Sequence, residues 1–62
     1  MNDQPVLSEG EWALVVDLLE REKADLPAEI HHTRTATVRA ELHERLDMVR
    51  RLLDRLHAPA SV

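Results

Sequence analysis

The side chains best able to do chemistry in this 62-residue chain are four histidines, His31, His32, His43 and His57, and there is no cysteine. Zinc needs three or four ligands converging within about 2.0–2.2 Å of one ion. His31 and His32 are adjacent, and adjacent side chains on a helix point about 100° apart. No HxxxH or HExxH spacing occurs, so a single chain offers no ready metal site. A dimer could still bring Glu29, His31, His32 and their symmetry mates together. The plainer reading makes the histidines surface groups near a helix connection and in interhelix pairs. His31 and His32, when protonated, would also complement the dipole at a helix C-terminus.

Other chemistries have less to stand on. No serine sits in a glycine-flanked elbow, and the lone glycine, Gly10, leaves no phosphate-cradling loop. The carboxylates read as structural ion pairs, so no catalytic residue and no cofactor is expected and the chain is read as non-enzymatic. Nucleic-acid binding has its best case in Arg34, Arg39, Arg45, Arg50, Arg51 and Arg55. Glu41, Glu44, Asp47 and Asp54 are interleaved with them, there is no aromatic stacking platform, and the formal charge is −4. These features weigh against a nucleic-acid regulator and against binding to acidic membranes.

The elements that would position these groups are helices. Hydrophobic residues make up 44% of the chain, enough to argue against intrinsic disorder. They are nearly all aliphatic, with Trp12 the only aromatic, and Leu, Ala, Glu and Arg are good helix formers. Residues 1–7 read as a flexible lead-in. Ser8 and Glu11 have capping-box spacing, and Leu7 with Trp12 occupies the staple positions, so the first helix starts at Ser8. Its stripe runs Trp12, Val15, Val16, Leu19, Leu26 and Ile30, with Leu14 and Leu18 widening one side. The stripe keeps its phase across Pro27, which predicts one helix over 8–32 kinked at that proline rather than two helices broken near Asp25. The second helix spans 35–57 with Thr35 as its cap. Val38, Leu42, Leu46, Val49, Leu53 and Leu56 repeat along it at three and four, and Leu52 flanks them. Pro59 ends it, and residues 58–62 are expected to fray.

Two helices joined by a few residues lie antiparallel. Aligning Ile30 with Val38 pairs Leu26 with Leu42, Leu19 with Val49, Val15 with Leu53 and Trp12 with Leu56. The same register sets Asp17 against Arg51, Arg21 against Asp47, Asp25 against His43, Glu29 against Arg39 and Glu11 against His57, with Lys23 against Arg45 the one like-charged pair. Charge is also divided: residues 1–33 hold eight acids against Arg21 and Lys23, while residues 34–62 hold six arginines against four acids.

The fold class is therefore all-α, an antiparallel two-helix hairpin. A lone hairpin has one seam and no third wall, and chains this small usually need a staple or a partner. The expected remedy is a homodimer forming a four-helix bundle. Trp12, Val15, Leu19, Leu26, Ile30, Leu42, Val49, Leu53 and Leu56 would build the core, and Leu14, Leu18 and Leu52 the interface between chains. An unidentified protein partner is the other occupant such a face would suit. No stretch is apolar enough to cross a bilayer, and the opening residues lack a signal-peptide pattern, so a cytoplasmic location is expected.

The run from Leu7 to Leu56 resembles small, uncharacterised bacterial helical-hairpin proteins of about this length. These open with a capped Leu- and Glu-rich helix, pass through a segment like LPAEIHHTRT and close with a helix like ELHERLDMVRRLLDRL. The chain departs from them at Ala36 and Val38, where similar ones carry a charged and an aromatic residue. The resemblance implies a helical hairpin and no established activity. It supplies no site residues.

Overall fold

The computed structural model describes residues 5–57, and the expectations for Pro59 and the frayed tail lie outside them. Two helices pack against one another: α1, Glu9–His32, and α2, Ala36–His57. Residues 5–8 precede α1 without regular structure.

Local chemistry explains where each helix begins and ends. The first four N–H groups of a helix have no intrahelical acceptor. Ser8 supplies one: its Oγ accepts from the Glu11 N–H at 3.1 Å, while the Ser8 N–H donates to Glu11 Oε1 at 2.8 Å. The expected box is thus formed, with Ser8 as the cap and Glu9 as the first helical residue. Thr35 precedes α2 in the same way, and its carbonyl accepts the first bond of that helix, from the Arg39 N–H at 2.9 Å.

α1 runs unbroken through Pro27. The proline removes the donor for the Lys23 carbonyl. Both Pro27 and Lys23 are exposed, so that carbonyl loses its partner on the side of the helix open to water. Leu26 is buried and Ile30 half-buried, so the apolar stripe stays regular on either side of the proline.

The connection is three residues long and needs no glycine. Thr33 leaves the helix in an extended conformation, φ −82° and ψ 128°. Its N–H donates to the Ile30 carbonyl at 3.3 Å and its Oγ1 to the Glu29 carbonyl at 2.6 Å. Arg39 then reaches back from α2 and donates Nη2 to the Thr33 carbonyl at 2.7 Å. The turn is tied from both sides.

The core is one seam. Leu26 of α1 meets Leu46, Val49 and Leu53 of α2, with Val16, Leu19, Ile30 and Leu42 packed around them. Leu46 belongs here although the register placed it opposite Glu22 and it was left out of the core. Trp12 does not join the core of the single chain: it is 44% exposed. Val38, at the turn end, is exposed as well, while Val15 and Leu56 are half-buried. No helix among the described residues is long and apolar enough to cross a membrane.

Candidate functional site

The histidines are all exposed and dispersed. The rings of His31 and His32 stand edge-on, 5.3 Å between centroids and 72° between planes, as neighbours about 100° apart on a helix must. Among the described residues no three His, Asp or Glu side chains are placed to hold a metal ion. Glu29 contributes only its backbone carbonyl, to Thr33. No pocket opens in the described residues.

The charged groups pair differently from the register drawn on the sequence. Asp17 pairs with Arg21 along α1, at 3.4 Å, rather than with Arg51 across the seam. Arg39 binds the Thr33 carbonyl instead of Glu29. Across the seam Glu22 pairs with Arg45, and His57 Nε2 lies 3.2 Å from Glu20 Oε2 rather than beside Glu11.

Glu20 and Glu22 are two positions apart, so they point about 200° apart around α1. The two cross-seam pairs consequently lie on opposite flanks of the hairpin.

The Glu22–Arg45 flank also carries exposed apolar side chains. Leu18 lies one turn before Glu22 and Leu14 one turn before that, and both are exposed. On α2, Met48 and Leu52 follow Arg45 at spacings of three and four, and both are exposed. Spacings of three and four keep residues on one helix face, so the four hydrophobes line the same side of the molecule as the Glu22–Arg45 pair. Leu14, Leu18 and Leu52 were assigned to an interface on the sequence. Met48 was not singled out, although its place between Arg45 and Leu52 in a three–four repeat was readable.

No family model matches the chain, and neither a curated protein nor a solved structure matches it.

Proposed function

We propose that this chain is a non-enzymatic, self-associating helical-hairpin protein that works through protein–protein contact, with a homodimeric four-helix bundle as its working form. The observation that carries the reading is the flank on which Leu14, Leu18, Met48 and Leu52 are all exposed. Isolated surface leucines are ordinary, but several aligned on one side of so small a domain mark a contact surface. The seam supports this by its size: four side chains are buried in the whole described hairpin, a small core for a domain expected to stand alone.

Sedimentation equilibrium over a wide dilution series, with and without chelator, tests it. A dimer that persists on dilution and ignores chelator supports the reading. A folded monomer at all concentrations contradicts it. A dimer lost only with chelator would transfer the case to metal held by Glu29, His31 and His32.

A further inference from the structure

The exposed flank has a charge pattern as well as an apolar one. On α1 it reads Glu11, Leu14, Leu18, Glu22: two leucines with an acid at each end. On α2 it reads Arg45, Met48, Leu52, Arg55: two hydrophobes with a base at each end. Both strips use spacings of three and four, so each forms one continuous ridge on its helix. Laid antiparallel, the strips match along their length. Glu11 meets Arg55, Leu14 meets Leu52, Leu18 meets Met48, and Glu22 meets Arg45.

Resting on the self-association reading, we infer that the occupant of this flank is a second copy of the same chain, docked so that α1 of each copy lies on α2 of the other. The symmetry is then a two-fold axis parallel to the helices. A rotation about such an axis leaves every residue at its own height, so the register between copies repeats the register within each copy. Within one chain Glu22 and Arg45 already pair across the seam. In the dimer the two Glu22–Arg45 pairs come face to face with signs alternating, which closes a ring of four charges. Arg45 retains 63% side-chain exposure in the single chain, leaving room for that second carboxylate.

The competing two-fold, perpendicular to the helices, would set each helix against itself. Glu11 would then face Glu22 of the second copy, and Arg45 would face Arg55. Like charges would close both ends of both apolar strips, an arrangement disfavoured by repulsion. An isologous contact must be self-complementary, and only the crossed arrangement makes this flank so.

The chain lacks cysteine, so single thiols can report the arrangement. Leu14→Cys and Leu52→Cys, both at exposed positions, are mixed in equal amounts, unfolded and refolded together, and oxidised. The crossed dimer gives the mixed 14–52 disulfide as the dominant product. A parallel mixture of Leu14→Cys with Leu18→Cys gives little. Dominant 14–18 cross-linking, or a chain that sediments as a dimer yet forms no 14–52 disulfide, overturns the crossed arrangement while leaving self-association intact.

Arg55→Glu provides a readout of opposite sign for the two arrangements. In the crossed dimer it faces Glu11 and weakens association about three- to tenfold, as an exposed ion pair allows. With each helix against itself it would face Arg45 and tighten association, which would also overturn the inference. Absence of any oligomer in the sedimentation experiment is a separate failure, that of the self-association reading itself.

Discussion

Leu52 and Leu53 are neighbours on α2, yet Leu53 is 2% exposed and Leu52 is 36% exposed. The same division runs along α1, where Leu26 is 1% exposed and Leu18 53%. All four side chains are leucine, so residue type does not decide their fate. Position around the helix does. Leu26 and Leu53 lie on the stripe that faces the other helix; Leu18 and Leu52 lie on the flank beside the Glu22–Arg45 pair. A two-helix hairpin offers a single seam, and a stripe broader than the seam leaves one edge wet. The seam accounts for the fold, and the flank is left exposed.

Substitutions at the two regions separate these roles. The largest effect falls on the seam. Leu26→Ala removes the most deeply buried side chain and costs about 2–5 kcal/mol, enough to unfold most of a chain this small. Urea titration followed by circular dichroism measures it, and a loss below about 1 kcal/mol would show that the core lies elsewhere. Leu18→Asp, on the flank, puts a charge into the apolar strip and weakens self-association by about tenfold or more, a cost of at least about 1.4 kcal/mol. Leu18 is exposed in the single chain, so at high concentration the helical signal persists. Sedimentation velocity on both proteins reads the difference, and an unchanged association constant would remove Leu18 from the interface.

Smaller effects lie at the start of α1, away from the buried seam. Ser8→Ala deletes the hydroxyl that accepts from the Glu11 N–H and lowers stability by about 1 kcal/mol. Gly10→Ala acts in the other direction. Gly10 is helical with negative φ, and an added Cβ would meet only Ser8 Oγ, at 3.9 Å. The expected gain is about 0.5–1 kcal/mol, read as a higher urea midpoint. A loss on this substitution would mean that the first turn of α1 is packed against something the single chain does not contain.

What could be read from residues alone follows the range of the interactions. The Ser8–Glu11 box is a contact across three residues, and it formed as spaced. The persistence of α1 through Pro27 was legible from the phase of Leu26 and Ile30. The antiparallel hairpin followed from two stripes and a short connection. The charge pairs were harder because long exposed side chains can choose among several partners, so His57 reaches Glu20 instead of Glu11. Leu46 falls opposite Glu22 in the register drawn on the sequence, but the Glu22 carboxylate meets Arg45 on the flank and Leu46 stays in the seam. Trp12 misled in another way. A three–four repeat gives the face of a helix but not how far the opposing helix covers it, and Trp12 is left 44% exposed. The Arg39–Thr33 contact across the turn had no signal in periodicity at all.

The central claim is that the hairpin draws part of its stability from a second copy covering the Leu14–Leu18 flank. Thermal unfolding followed across a hundredfold range of protein concentration tests it most directly, because binding to the native state alone makes the midpoint depend on concentration. The account predicts a Tm that rises steadily with concentration in the unmodified chain, and a much flatter dependence in Leu18→Asp. A Tm that stays constant across the range in the unmodified chain would contradict it.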